Sequence, residues 1–349
     1  MKTVTPNNGN ALVGAGHPAI RGIKPIVLVP PLAAAGYPFL LMLFHALIGP
    51  AGSQPGGTRF AGAAIVLLCA FSAPVLGIFV ACQPQIQTRM RRLAYASVVA
   101  PTLYVFLGVV QALVGSPIPD PWVWCVIWLG MTLWASRAAG YDAHPEGRPG
   151  MGRWRVAHGI SAAILCIYVI FHLGNHLVGL IGPVEHGVVM EAGRTIYRAP
   201  FIEPVLIVVF LFQVASGLFL AWRWSSARHG FFRTFQIASG VYLSVFILGH
   251  MNSVFIYART YLGIPTDWNF AIGAPTGLLH DPWNIRLLPH YALGVFFVLS
   301  HLVAGLRVVL NAHGTPPRIA DRVWFIGVAV NAAIAAAIIA GMCGVRIAG

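Results

Sequence analysis

The sequence predicts an all-α polytopic membrane bundle of about nine transmembrane helices, on three observations. Only 9% of the 349 residues are charged and 58% are hydrophobic. The mean hydropathy is +0.76. Apolar runs of about 20 residues, the length a helix needs to cross a hydrocarbon core, recur along the chain. Soluble domains do not have this composition, so the lipid bilayer is the first partner the sequence names. A net charge of +13 would suggest nucleic acid in a soluble protein. Here the basic residues are spread over short loops between apolar spans, which is the positive-inside pattern, and nucleic acid is not expected.

Residues 1–25 read as a polar, Gly-rich cytoplasmic segment carrying Lys2, Arg21 and Lys24. The first apolar run ends in Leu47-Ile48-Gly49-Pro50 without a small-residue cleavage site, so it is expected to stay as a span. The nine spans run approximately over 26–49, 60–82, 93–115, 121–139, 156–181, 203–223, 234–258, 288–311 and 323–345. Spans one to four form an N-terminal membrane region, 26–140, and the other five a C-terminal bundle, 153–345. Arginines follow every second span: Arg89, Arg91 and Arg92; Arg137, Arg148, Arg153 and Arg155; Arg223, Arg228 and Arg233; Arg318 and Arg322. This alternation puts the basic loops on one side, the N-terminus in the cytoplasm and the C-terminus outside a cytoplasmic (inner) membrane. The long segments 182–202 and 259–287 then lie outside, and the Pro, Gly and Trp content of the second suits a folded cap.

The five cysteines stand singly, with no C-x-x-C and no C-x-x-C-H, and read as packing residues. A search for repeats finds Gly77–Ala81 echoed by Gly217–Ala221 and Arg91–Ser97 echoed by Arg233–Ser239. Spans one to four read on this basis as a degenerate parallel copy of spans five to eight, keeping only His45 among the intramembrane histidines.

Ionisable residues inside spans are costly and point to function. In the C-terminal bundle they are mostly histidines, among them His172 and His176 in span five, His250 in span seven and His301 in span eight. His172 lies 17 residues beyond Arg155 and His250 lies 17 beyond Arg233. At 1.5 Å per residue both sit about 25 Å from the basic side, level with each other in the outer half of the bilayer. Two level imidazoles on different helices suit the axial positions of a haem, with Gly174 and Gly249 expected to leave room for a flat macrocycle. His172 and His250 are thus the expected iron ligands. His176 and His290 read as hydrogen-bonded interhelical contacts, and His158 as an interfacial residue. A zinc-type site is disfavoured because no carboxylate or thiolate lies near these histidines in sequence.

The run Arg153-Trp154-Arg155-Val156-Ala157-His158-Gly159, followed by Ile170-Phe171-His172-Leu173-Gly174-Asn175-His176-Leu177, resembles the first helix of the five-helix cytochrome b membrane subunit of succinate:quinone and fumarate oxidoreductases. The resemblance continues over residues 153–345. It implies two stacked haems b held by four histidines. The family's ligand positions fall on His172, on Gln213 in Phe212-Gln213-Val214-Ala215-Ser216-Gly217, on His250 in Leu248-Gly249-His250, and on His301 in Ser300-His301-Leu302. The outer pair, His172 with His250, is complete. The inner pair is Gln213 with His301, and glutamine is a poor axial ligand. One haem b is therefore expected, with the inner site empty, five-coordinate at His301, or used by another ligand such as a quinone.

Electron transfer between quinol and a partner redox protein or dehydrogenase subunits follows from the resemblance. Arg194, Arg198 and Arg259 are the candidates to neutralise haem propionates. No flavin, nucleotide or iron–sulfur motif is present, so substrate oxidation would need another subunit. Two other classes stay open. One is a non-redox anchoring, assembly or haem-sensing subunit, favoured by Gln213 and the additional four spans. The other is a transporter, favoured by the repeat and by the intramembrane Pro74 and Pro101 but lacking a buried carboxylate.

Overall fold

A computed structural model describes residues 25–137 and 151–347 of the chain. The segment up to Lys24, and Arg148, lie outside the described residues. The described chain is all-helical: α1 Val29–Ile48, α2 Gly57–Ala70, α3 Ser72–Cys82, α4 Thr88–Val98, α5 Ala100–Leu113, α6 Asp120–Ser136, α7 Met151–Val178, α8 Pro183–Tyr197, α9 Ile202–Trp224, α10 Phe231–Met251, α11 Trp268–Ile272, α12 Gly277–His280, α13 Leu287–Ala312 and α14 Pro317–Met342.

Seven helical segments are long and apolar enough to cross a bilayer, and the bent pair α4 and α5 makes an eighth if it is one span. The expected count of nine is thus reached only in part, for two local reasons. Span three is not one rod: α4 and α5 meet at 70°. Pro101, at the start of α5, has no N–H to give the preceding turn, and its ring would clash with the carbonyl of Ser97 in a continuous helix. Pro74 similarly interrupts span two at Phe71. The expected fourth span, α6, is 17 residues long, short for a bilayer crossing. Ile167, Leu68 and Val126 are exposed on the outer faces of their helices, as a hydrocarbon solvent requires and water does not.

The last five long helices close a ring: α7 packs on α9, α9 on α10, α10 on α13, α13 on α14, and α14 back on α7. The N-terminal helices are not a separate body. α10 also packs on α3, α4 and α5, and one hydrophobic core runs from Val27 through Trp124 and Tyr242 to Trp324. At the junction Arg286, just before α13, pairs with Asp120 at the start of α6 at 2.6 Å, with side-chain exposures of 8% and 16%. Gln111 Nε2 donates to the same carboxylate, and the Arg286 guanidinium lies 4.4 Å from the Tyr104 ring centre. Gly108 has to be glycine, since a Cβ there would strike Arg286 Nη1.

The loops sort to two ends. Thr88 Oγ1 donates to Ser226 O at 3.1 Å, and Arg92 reaches Ser225 Oγ and Trp222 O, so the loops after spans two and six meet at a basic end. At the opposite end His280 reaches Gly49 O at 3.0 Å and Ile347 N donates to Leu180 O at 2.9 Å. There the expected loop 182–202 is mostly the helix α8, and 259–287 folds into α11, α12 and short turns, forming a cap. After Met251, α10 continues to Leu262 as a π-helix.

Candidate functional site

The ring encloses two cavities, stacked along its axis. The one nearer the cap, about 250 Å³, is lined by His172, His176, His186, His250 and the three arginines Arg194, Arg198 and Arg259, among others. His172 stands on α7 and His250 on α10, which are not adjacent in the ring. Their ring centres are 6.1 Å apart at an interplanar angle of 69°. Among the described residues neither imidazole makes a hydrogen bond to the protein, and a polar group left unpaired in an apolar interior is costly. Two nitrogens on opposite sides of one metal stand about 4 Å apart, and the half-ring behind each brings the ring centres to about 6 Å. The spacing of the ring centres is compatible with an iron between the two imidazoles.

No group of three or more His, Cys, Asp or Glu among the described residues is placed to hold a metal ion. A metal between His172 and His250 would need its remaining ligands from a macrocycle.

The arginines form the mouth of this cavity. Arg194 pairs with Glu191 at 2.6 Å and Arg259 with Glu203 at 2.6 Å. Arg198 makes no ion pair among the described residues; its Nη2 donates to Thr266 Oγ1 at 2.8 Å. Burial, then Arg194 and Arg259 beside it, hold the Arg198 guanidinium below its ordinary range, so an added anion is electrostatically favoured there. On α8, burial and then Arg194 also hold the His186 imidazole below its usual value, against the pull of Asp267.

Arg259 reaches this mouth because of the π-helix. In an α-helix with 3.6 residues per turn, positions nine apart lie on opposite faces, yet His250 and Arg259 line the same cavity. The wider π turns between Asn252 and Leu262 bring Arg259 round.

Several expected residues lie elsewhere. Gly249 faces the N-terminal region, where a Cβ would be 3.4 Å from Phe106, and it makes room for that side chain rather than for a macrocycle. Gly174 has nothing within 4 Å of a Cβ and does not line the cavity. The cavity glycine is Gly294, where a Cβ would collide with Phe246. His176 is part of the cavity wall, 4.8 Å from His172 ring to ring, and its Nδ1 has no partner. His290 also lacks a partner at Nδ1 and packs on Phe246 at 4.6 Å, so neither is the hydrogen-bonded interhelical contact the sequence suggested.

The second cavity, toward the basic end, is larger at about 690 Å³ and is lined by Gln213 and His301 as expected. It is also lined by His158, which the sequence placed at the membrane interface. His158 Nδ1 meets Ser216 Oγ at 2.8 Å, and its Nε2 meets Gln213 Nε2 at 3.0 Å. Ser161 Oγ donates to Gln213 Oε1. Every polar atom of Gln213 is occupied by the protein, so this side chain is not waiting for iron. Comparison with protein families, curated proteins and solved structures gives no match. The sites therefore rest on the chain's own residues. A signal for His158 was present in the sequence: the pentapeptide Gln-x-Ala-Ser-Gly occurs at Gln213–Gly217 and again at Gln236–Gly240, and each serine meets a histidine.

Proposed function

We propose that the chain is a b-type cytochrome membrane subunit, holding haem b between His172 and His250 and passing electrons between quinol and a partner redox protein docked at the capped end. The observation that carries this reading is the pair of unbonded imidazoles on α7 and α10, with ring centres 6.1 Å apart and three arginines lining the same cavity. Haem b, when bound, supplies a one-electron change at its iron. His172 and His250 fix the metal from two helices, the apolar ring excludes water, and Arg198 offers a cation not already paired with a carboxylate. The quinol and the redox partner come from the resemblance to the cytochrome b subunits.

A reduced-minus-oxidised spectrum of the purified protein, with haem quantified as the pyridine haemochrome, tests the reading. A low-spin b-type spectrum is expected. A protein without haem overturns it and leaves the anchoring and transport classes.

Two further outcomes are expected. Arg198→Gln removes a charge-assisted contact of roughly 1.5–3 kcal/mol, so haem transfer to apomyoglobin should speed up by about tenfold or more; an unchanged rate would show that the propionates lie elsewhere. For orientation, a reporter after Gly349 is expected to be active outside and one between Arg223 and Arg233 to report cytoplasm. The reverse pattern would place the His172–His250 cavity on the inner side.

A further inference from the structure

The cavity at the basic end, about 690 Å³, takes no part in the outer-haem reading and lies within the size range of ligand sites. Its lining follows α7 from Gly152 to Val169, roughly 25 Å of helix. One leaflet with its headgroups is about 20 Å thick, so the cavity has the height of a single lipid leaflet. Its walls are mainly apolar. On the α7 and α9 side the polar groups satisfy one another: His158 Nδ1 meets Ser216 Oγ at 2.8 Å, His158 Nε2 meets Gln213 Nε2 at 3.0 Å, and Ser161 Oγ donates to Gln213 Oε1. On α10 the Ser239 hydroxyl covers His301 Nδ1 at 2.9 Å.

The wall of the ring is open beside this cavity. α7, α9, α10 and α13 all line it, but no residue of α14 does. α14 meets α7 through its second half: Leu173 and Leu177 pack against the cluster that holds Ala335, Ile338 and Met342, and a Cβ on Gly341 would lie 3.3 Å from Leu180. Its first half leans on α10 instead, with Trp324 5.2 Å from the rings of both Phe232 and Phe235. Val156, Gly159 and Ala163 on α7 are exposed although they line the cavity. Gly159 and, on α13, Gly305 have nothing within 4 Å of a Cβ. The cavity therefore opens sideways between α7 and α13, toward the bilayer.

The open slot ends in positive charge. Arg155 and Arg233 line it and no carboxylate does. Among the described residues neither arginine forms an ion pair; Arg233 Nη1 donates to Gln236 Oε1 at 2.8 Å, and its guanidinium lies 4.7 Å from the Trp224 ring centre. Arg307, a further charged neighbour of Arg233, is answered by Asp321 at 2.7 Å. Two cations at the mouth of an apolar slot that faces the bilayer complement an anionic head on a hydrocarbon tail. We propose that the slot binds one anionic phospholipid from the leaflet on the basic side, its phosphate held by Arg155 and Arg233 and one acyl chain lying between α7 and α13. A zwitterionic lipid would bring an ammonium to the same two arginines, and inorganic phosphate would leave the apolar slot unfilled. The bound lipid joins α7 to α13 where α14 does not. The proposal uses no residue of the His172–His250 cavity and is independent of the haem reading.

The test is native mass spectrometry of the full chain in mild detergent, with phosphatidylglycerol and phosphatidylcholine of the same acyl chains added at equal concentration. One phosphatidylglycerol per chain is expected to be retained in preference to phosphatidylcholine, and excess inorganic phosphate should not displace it. Arg155 is exposed, so Arg155→Gln tests the headgroup contact without disturbing the interior. Arg155→Gln and Arg233→Gln should each weaken retention by on the order of fivefold. Gly159→Leu with Gly305→Leu puts side chains where the acyl chain lies and should remove the bound lipid while keeping both charges. Arg318→Gln with Arg322→Gln, on the same side but outside the slot, should leave retention unchanged. Equal retention of the two lipids, or of neither, would overturn the proposal. Retention that survives the paired glycine changes would show lipid gathered at surface arginines and not in the slot, and displacement by phosphate would show an anion site without a place for the chain. A protein without haem removes the cytochrome reading and leaves every arm of this test in force.

Discussion

Replacing His172 or His250 by alanine is expected to lower occupancy of the outer haem by more than tenfold and to abolish its low-spin spectrum. Removal of groups that merely orient a metal ligand already costs roughly 10–100-fold in affinity, and these two changes remove the ligands. His172 and His250 also stand on α7 and α10, two helices separated in the ring by α9, so the metal would contribute a tie across the bundle that either change cuts. His290→Ala is the matched control. It removes a buried imidazole from the same region, but one packed on Phe246 and outside the cavity lining. Absorption spectra of the three purified variants decide the matter: a low-spin outer haem surviving in His172→Ala would mean that the ligand had been assigned to the wrong imidazole.

The second large effect is one of stability. Asp120→Ala should destabilise the protein by about 3–5 kcal/mol, because it leaves the Arg286 guanidinium buried without its counter-charge. Arg286 lies against Tyr104 and Trp283 with no room to withdraw. Asp120→Leu combined with Arg286→Met should recover most of that loss, since replacing both members of a buried pair by apolar groups is often neutral. Thermal unfolding in detergent measures both variants. Equal melting temperatures for the parent chain and Asp120→Ala would show that the pair does not hold the N-terminal helices to the ring.

Helix rise and loop charge were sufficient to read much of this arrangement from the residues. Counting from Arg155 and Arg233 puts His172 and His250 at one depth, and the structure brings those rings together. The alternation of basic loops is matched by contacts such as Thr88 to Ser226. The departures have local causes. Hydropathy averages over Pro101 and so reads one span where backbone sterics impose a 70° bend. Gly249 was assigned to the cavity from its place beside His250. Neighbours in a helix point about 100° apart, and Gly249 faces Phe106 instead.

His158 was missed because nearness to Arg155 suggested an interfacial residue, while its role depends on Ser216 and Gln213, which are 58 and 55 positions away. Sequence distance hides such a partnership. The repeated Gln-x-Ala-Ser-Gly segment is its visible trace in the sequence.

The π-helix between Asn252 and Leu262 also bears on how anything enters the outer cavity. Long runs of i→i+5 bonding are rare because their packing is poorer than that of an α-helix, so local opening is least costly where such a run replaces regular turns. In this chain that stretch forms the wall next to His250 and ends at the arginine mouth. Opening of that one helix end would expose the cavity without parting the other helices of the ring. Amide hydrogen exchange should be faster across 252–262 than along the first turns of α10, and the rate of that opening, not the stability of the whole bundle, would set how quickly the site fills.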